Sequence, residues 1–258
     1  QLVATGDADI AYSVAESLVP AVEGGVDAVS IAAVIEHNTS SLLFENSTGI
    51  TRPRDLPGHV YGSYDSPLEN ALISTLVSCD GGDPAGIETA PLATDDFRIG
   101  LTEDQFDYVW VYDAWDTIRL RDVDGMDVGT IAFIDHTDCI PDWYTPLLAT
   151  SRAQLAEDPD AVRAFLDAVT RGYQDAMAEP SAAAEAVLAA SPELDRELVE
   201  ASAEYLATHY AEDPAGWGRQ TAGTWDGFIG FLAEHDIAGA DLDPASLWTN
   251  DYLPAAGE

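Results

Sequence analysis

The sequence feature that most constrains the fold is a short strand that runs through a tight loop into a capped helix at residues 60–69. The apolar and aromatic residues 60–64 are typical of a strand. Ser66 and Glu69 then form the pattern of a capping box, with proline at the first helical position. Such units, repeated along a chain, build an α/β fold in which ligands bind at the carboxyl ends of parallel strands.

The same alternation of strands and helices recurs along the chain. Apolar periodicity predicts strands at residues 9–12, 28–35, 60–64, 108–112 and 128–134. It predicts helices at residues 13–22 and 66–80, from residue 158, and around residues 197–210 and 224–234. The stretch from His37 to about Arg54 is predicted to be a loop and a polar connection.

Charge is the most unusual bulk property. The chain has 10 basic residues, all of them arginine, against 47 acidic residues, which gives a net charge of −37. The acidic residues are spread along the whole chain, which excludes an acidic tail as their explanation. Nucleic acids and anionic membranes are not expected as partners, because no basic patch exists to neutralise phosphates. An acidic, lysine-free surface indicates a protein built for a high-salt environment, where self-repulsion is screened.

The sequence contains only weak motifs for metal binding and none of the common catalytic motifs. Cys79 and Cys139 fit neither a disulfide framework nor a metal cluster, so they are interpreted as isolated thiols, with pairing left open. Residues 135–139 hold a single histidine among loop acids, which is more typical of a solvated loop than of metal ligands. No phosphate loop, nucleophile elbow or zinc-protease motif occurs. We therefore expect no catalytic residues, no metal and no cofactor.

The strand at residues 108–112 ends in an aromatic–carboxylate group. Alternation places Tyr108, Trp110 and Tyr112 on one face, and Asp113 and Trp115 lie just beyond the end of the strand. Aromatic faces beside a carboxylate suit a flat heteroaromatic ligand with an exocyclic amine. The alternative, that the aromatic residues are core, is accepted for Trp110 but not for the residues at the end of the strand.

An aromatic segment between prolines, residues 140–146, is the third informative place. Its stiffness suits a hinge crossing that presents Tyr144 to a ligand. A surface loop is an equally good interpretation of its composition.

Together these segments resemble the thiamine-pyrimidine-precursor (NMT1-like) group of solute-binding proteins. Each motif is weak by itself, but the combination covers nearly the whole chain. The matching segments are residues 8–12, 35–40, 49–56, 61–69, 112–116, 140–147, 217–218 and 248–254.

The resemblance implies a type II periplasmic-binding-protein-like fold of two α/β lobes, with mixed, mostly parallel sheets flanked by helices. Lobe one would comprise residues 1–47 and 146–258, and lobe two residues 48–145, with hinges near 46–49 and 141–146. The family's first strand and helix are expected to be missing from this chain. The implied protein is a monomer that delivers its ligand to an ABC transporter permease. It is expected outside the cytoplasm, at the cell surface or in the periplasm, and a lipid anchor on a leader that this chain does not include is left open.

The resemblance also implies a ligand site in the cleft between the lobes. Tyr12, Tyr144 and Trp115 would stack on or edge a pyrimidine ring. Asp113 would accept from its amino group, and Asn38 would donate and accept at a second ring edge. The family often has glutamate where Asp113 stands, and aspartate reaches about 1.5 Å less far, roughly one carbon–carbon bond.

Four further residues complete the expected site. Ser66 and the amides after it would hold an acceptor oxygen of the ligand. Tyr112 would border the ring, and Glu16 and Glu69 are included although a solvated helix face or a capping role explains them equally well.

The expected ligand is a hydroxymethylpyrimidine or a formylaminopyrimidine, and the alternatives are riboflavin or a sulfonate. Fungal relatives of this fold synthesise the pyrimidine themselves, and the resemblance assigns that chemistry to a pyridoxal phosphate held on a lysine. This chain contains no lysine and therefore cannot form the Schiff base. An enzyme of pyrimidine biosynthesis is accordingly the least favoured alternative.

Because of the net charge of −37, we expect the melting temperature to rise steeply with salt. Raising NaCl from about 0.1 M to about 1 M shortens the Debye length from roughly 10 Å to roughly 3 Å and screens self-repulsion. Circular dichroism melts across this range test the expectation, with sucrose as a control that stabilises without screening. A cooperative melt at the same temperature throughout would contradict it.

Overall fold

The computed structural model describes residues 2–92, 96–239 and 241–255. The chain divides into two compact units. Unit 1 consists of Gln1–Asn38, Asp142–Leu194 and Ala203–Glu258, and unit 2 consists of Thr39–Pro141 and Asp195–Ser202.

The described residues form short strands and longer helices in alternation. The strands are β1 (Ile10–Ser13), β2 (Val29–Ala33), β3 (Ser40–Glu45), β4 (Val60–Ser63), β5 (Glu88–Pro91), β6 (Tyr108–Tyr112), β7 (Val128–Ala132) and β8 (Leu147–Thr150). The α-helices are α1 (Leu2–Thr5), α2 (Ala15–Glu23), α3 (Pro67–Cys79), α4 (Phe97–Thr102), α5 (Arg152–Glu157), α6 (Pro159–Ala178), α7 (Pro180–Ala190), α8 (Arg196–Ala207) and α9 (Ala222–Glu234).

Unit 1 is built on a three-stranded sheet in the order β1-β8-β2. Strand β8 is antiparallel to both neighbours, so β1 and β2 run in the same direction. The apolar residues of β2 are fully buried and pack with Leu148, Val162, Leu166 and Trp217. This arrangement brings the ends of β1 and β2 to the edge of the sheet where β8 begins.

Helix α6 shows how the sequence directs the elements of unit 1. Its N-cap Asp158 accepts a hydrogen bond from the Ala161 amide at 3.0 Å, and proline occupies the first turn. Val162 and Leu166, four residues apart, face the core. At 20 residues it is the longest helix of the described chain, and none of these helices is both long and apolar enough to cross a membrane.

Unit 2 is built on a five-stranded sheet in the order β5-β4-β6-β3-β7. Strand β4 is parallel to β5 and β6, whereas β3 is antiparallel to β6 and β7. The core of the unit packs against this sheet, and it contains Leu43, Leu101, Phe106, Val109, Val111 and Leu120.

The prediction of a polar connection after His37 was wrong, because Ser40–Glu45 forms strand β3. Its Leu42, Leu43 and Phe44 are fully buried between β6 and β7. Serines at one end of the segment and a glutamate at the other gave it the polar composition of a loop.

The sheets are mixed as expected, whereas parallel pairing of the described strands is confined to β5, β4 and β6. Strand β3 belongs to unit 2, whose first segment begins at Thr39.

The interpretation of the two cysteines as isolated thiols was also wrong. Cys79 at the end of α3 forms a disulfide with Cys139, with their Cα atoms 5.9 Å apart. The two residues are 60 positions apart in sequence, and only the packing of unit 2 brings them together. The bond also removes Cys139 from the residues that could ligate a metal.

The disulfide should stabilise unit 2 by restricting its unfolded chain. We expect reduction to lower the free energy of unfolding by about 2–4 kcal/mol, as is typical for loops of this size. Urea denaturation with and without reductant measures the change. The matched control is the Cys79→Ser/Cys139→Ser variant, which reductant should not affect; identical curves for the reduced and oxidised wild-type chain would oppose the prediction.

Candidate ligand-binding site

One edge of the unit 2 sheet collects polar groups from three strands. Strands β4 and β6 are adjacent and parallel, so their carboxyl ends meet at the same edge. Strand β3 is antiparallel to β6 and therefore begins there, with Ser40 opposite Tyr112 and Ser41 opposite Val111. Because of this register, the serines predicted to lie in a loop stand beside the predicted aromatic–carboxylate group.

Asp113 is held in one orientation at this edge. Its Oδ2 accepts a hydrogen bond from the Ser41 hydroxyl at 2.6 Å, and its Oδ1 accepts one from the Thr117 hydroxyl at 2.6 Å. Its backbone amide donates to the Thr39 carbonyl at 3.0 Å. The side chains of Ser41 and Thr117 are themselves buried, so the carboxylate is a fixed hydrogen-bond acceptor.

A π-helical segment, Asp113–Thr117, follows β6 without a break. Such wide turns are rare and are frequent at functional sites. Here the segment leaves Tyr112 42% exposed and Trp115 partly exposed. Asp116 accepts from the Tyr112 amide at 3.0 Å. Burial raises the pKa of Asp116, and the nearby Asp113 charge adds to the effect against the opposing Tyr112 amide and Arg119.

The loop between β4 and α3 contributes the second part of the edge. Tyr64 is exposed, and Asp65 has a left-handed backbone with φ of 61°, a conformation that costs energy for a non-glycine residue. The predicted capping box forms, and the Ser66 amide donates to Glu69 at 2.9 Å. The N-terminus of α3, with its partial positive charge, therefore lies at the end of β4.

Glu69 holds this loop in place. It is almost completely buried and accepts from the Tyr61 hydroxyl at 2.8 Å. The hydroxyl of Ser63 and the amides of Tyr64 and Ser66 also donate to its carboxylate. Burial and the Glu69 charge raise the pKa of Tyr61. With these four donors, Glu69 shapes the loop. This agrees with the capping role that was the alternative to ligand binding.

In unit 1, Tyr12 contacts an aromatic cluster through its hydroxyl group. Tyr12 is 64% exposed at the end of β1, and its hydroxyl lies 2.9 Å from the Tyr173 hydroxyl. The ring of Tyr173 stacks on Trp217 with their centroids 4.3 Å apart, and it makes an edge contact with Tyr210 with their centroids 4.8 Å apart. Burial raises the pKa of Tyr173, and its hydrogen bond with Tyr12 adds to the shift. The exposed position of Tyr12 is compatible with stacking on a ligand.

Glu16 and Tyr144 lie deeper than the sequence indicated. Glu16 accepts from the Trp143 indole nitrogen at 3.2 Å and from the Thr145 hydroxyl at 3.2 Å. Tyr144 is 3% exposed, and its hydroxyl accepts from the Thr221 amide at 2.9 Å. Both residues therefore fasten the segment that enters β8 to the rest of unit 1.

Asn38 ends the first stretch of unit 1 and is fixed by a residue that sequence reasoning missed. Its backbone amide donates to Asp142 Oδ1 at 2.9 Å, and Asp142 Oδ2 lies 2.7 Å from His37 Nδ1. Asn38 as a whole is 2% exposed. In the sequence, Asp142 stands out only as part of a proline-flanked segment. No sequence pattern predicts Ser41 or Thr117 as residues of the site.

The buried environment of Glu16 generates a pH prediction. Burial raises its pKa despite the opposing bonds from its own backbone, Thr145 and Trp143. The native chain therefore binds this proton more tightly than the unfolded chain, so the contribution to stability is complete below the ordinary carboxyl pKa and is lost as the pH rises through the native one.

We accordingly expect the unfolding free energy of the wild-type chain, minus that of Glu16→Gln, to increase as the pH falls from about 7 to about 4. Urea denaturation of both chains in matched molar salt measures this difference. Subtraction removes the titration of the other carboxylates, and a difference that is constant or greater at neutral pH would refute the assignment.

Known proteins resemble this chain in sequence and in fold. The chain is 24% identical over 245 residues to a formylaminopyrimidine-binding protein of Halalkalibacterium halodurans, an alignment that covers 92% of this chain and 72% of that protein. The periplasmic aliphatic sulphonate-binding protein of Escherichia coli superposes with a TM-score of 0.75 at 15% identity, covering 98% of this chain and 80% of that one.

The same fold is also found in an enzyme. The desulfurization enzyme DSZB superposes with a TM-score of 0.62 at 10% identity, covering 95% of this chain and 84% of that one. These likenesses confirm the α/β, periplasmic-binding-protein-like fold. The model of the NMT1/THI5-like family matches residues 1–183 of the 258, and the chain therefore belongs to the NMT1/THI5-like family.

Proposed function

We propose that this protein is the solute-binding component of an ABC-type importer and that its ligand is an aminopyrimidine of the thiamine-precursor type. The observation that carries the proposal is the fixed Asp113 carboxylate, which lies in sequence between the exposed Tyr112 and the partly exposed Trp115. The likeness to a formylaminopyrimidine-binding protein supports the same class of ligand.

Each feature of such a ligand has a counterpart in unit 2. The carboxylate of Asp113 accepts from the exocyclic amine, and the aromatic rings supply faces for the pyrimidine. The N-terminal amides of α3, after Ser66, suit a formyl or hydroxyl oxygen. For Tyr12 and Asn38, which belong to unit 1, the expected contacts with a ligand ring stay predictions.

The charges at the unit 2 edge favour an amine-bearing ligand over a sulfonate. Asp113 and Asp116 both lie there, and carboxylates repel a sulfonate. Four arginines of unit 2 are paired with aspartates: Arg52 with Asp80, Arg98 and Arg119 with Asp124, and Arg121 with Asp122. To bind through one of these four, a sulfonate would have to separate it from its aspartate.

We propose binding and delivery, not turnover, as the activity. The chain has no lysine for a Schiff base, which removes the pyridoxal-dependent route to the pyrimidine. The Cys79–Cys139 disulfide favours an oxidising compartment outside the cytoplasm. A permease is accordingly the proposed partner, with the binding protein acting as a monomer.

Calorimetric titration in molar salt tests the ligand class. The ligands are the hydroxymethyl- and formylaminomethyl-aminopyrimidines, thiamine, riboflavin and an alkanesulfonate. We expect saturable binding of an aminopyrimidine, and chromatography of the recovered ligand should show it unchanged. Preferential binding of riboflavin or the sulfonate would overturn the pyrimidine assignment, and conversion of the ligand would overturn the binding role.

Variants test the residues. We expect Asp113→Ala to weaken aminopyrimidine binding at least tenfold, because a hydrogen bond to a charged group contributes roughly 1.5–3 kcal/mol. Trp115→Ala should weaken it similarly through lost stacking. The matched control is Asp175→Asn, an exposed aspartate on α6. Equal affinity in Asp113→Ala and the control, with both chains folded, would exclude Asp113 from the site.

A further inference from the structure

A cluster of metal-ligating side chains lies in unit 1, next to Asn38 in the sequence. Glu36, His37 and Glu212 each offer one ligand atom, and these atoms lie within 4.8 Å of one another. Glu36 and His37 follow β2, and Glu212 lies in the connection between α8 and α9. Residues far apart in sequence thus converge on one point.

The separations suit a small transition-metal ion. His37 Nε2 lies 3.6 Å from Glu212 Oε1. Two ligands on one tetrahedral zinc, each about 2.1 Å from the metal, are themselves roughly 3.4 Å apart. His37 and Glu212 are exposed, so their side chains are free to adjust to an ion.

The imidazole is oriented as a metal ligand requires. Its Nδ1 is 2.7 Å from Asp142 Oδ2, which directs the other ring nitrogen toward Glu212. Asp142 is fixed in turn, because its Oδ1 accepts from the Asn38 amide at 2.9 Å. A carboxylate behind a histidine is the usual outer partner of a metal-ligating imidazole.

Glu36 is also held in place, and the charges favour a cation. Its Oε2 accepts from the Glu212 backbone amide at 2.5 Å, which joins the two ligand-bearing segments. Three carboxylates, from Glu36, Asp142 and Glu212, surround a single imidazole, so the group keeps a net negative charge even when that ring is protonated. A divalent ion balances this charge.

We propose that Glu36, His37 and Glu212 form a binding site for a divalent transition-metal ion of the zinc type, with Asp142 positioning the histidine. An imidazole with two carboxylates is a donor set for zinc and its neighbours, since magnesium and calcium prefer oxygen ligands alone. The site departs from the expectation of no metal, and none of its four side chains is among those proposed for the solute. The bound ion would fasten the end of β2, from which Asn38 continues, to the segment that carries Glu212.

Titration of the chelator-treated, full-length protein with ZnCl₂ tests the site. Excess MgCl₂ is present to occupy non-specific carboxylates. We expect one saturable zinc site in the wild-type chain. His37→Gln and Glu212→Gln should each abolish it, and because 82% of the Glu212 side chain is exposed, the second change spares the fold. Asp142→Asn should retain the site but weaken it about 10–100-fold.

The matched control is His136→Gln, which removes a histidine from another acidic loop at residues 135–138. It should bind zinc like the wild-type chain. Undiminished one-to-one binding in folded Glu212→Gln, equal loss in His136→Gln, or the absence of a one-to-one site in the wild-type chain would each overturn the proposal.

Discussion

Strand β3 contributes to both the core of unit 2 and its candidate site. Its buried residues, Leu42 and Leu43, lie between β6 and β7 and fix the register of three strands. In that register the Ser41 hydroxyl reaches the carboxylate of Asp113, 72 residues away in sequence. Hydrophobic burial thus fixes the position of a polar group, and the orientation of Asp113 follows from sheet pairing.

The carboxylates of this chain illustrate how environment separates similar residues. Glu69 is buried under four donors and shapes a loop, whereas Asp113 is fixed by two hydroxyls at a sheet edge. Asp142 bonds His37 and the Asn38 amide. With 47 acidic residues in the chain, composition indicates a solvated acidic surface. Only contacts distinguish the few carboxylates that organise structure.

The fold of this chain does not by itself determine its function. The same fold occurs in a sulphonate-binding protein and in a desulfurization enzyme, so chemistry must be argued from side chains. At the unit 2 edge lie aromatic rings and partly exposed carboxylates, and Arg119, which acts on Asp116, is itself paired with Asp124. That combination is the physical basis for preferring an amine-bearing heteroaromatic solute.

Features that depend on neighbouring residues could be predicted from the sequence. The capping box of Ser66 and Glu69, the helical faces, and the aromatic–carboxylate group at the end of β6 all arise from spacing within one turn or one strand. Tertiary structure alone decided the strand identity of Ser40–Glu45, the disulfide, and the buried position of Tyr144. These depend on pairing between segments 60 or more residues apart, as the cysteines show, and local periodicity carries no information about such partners.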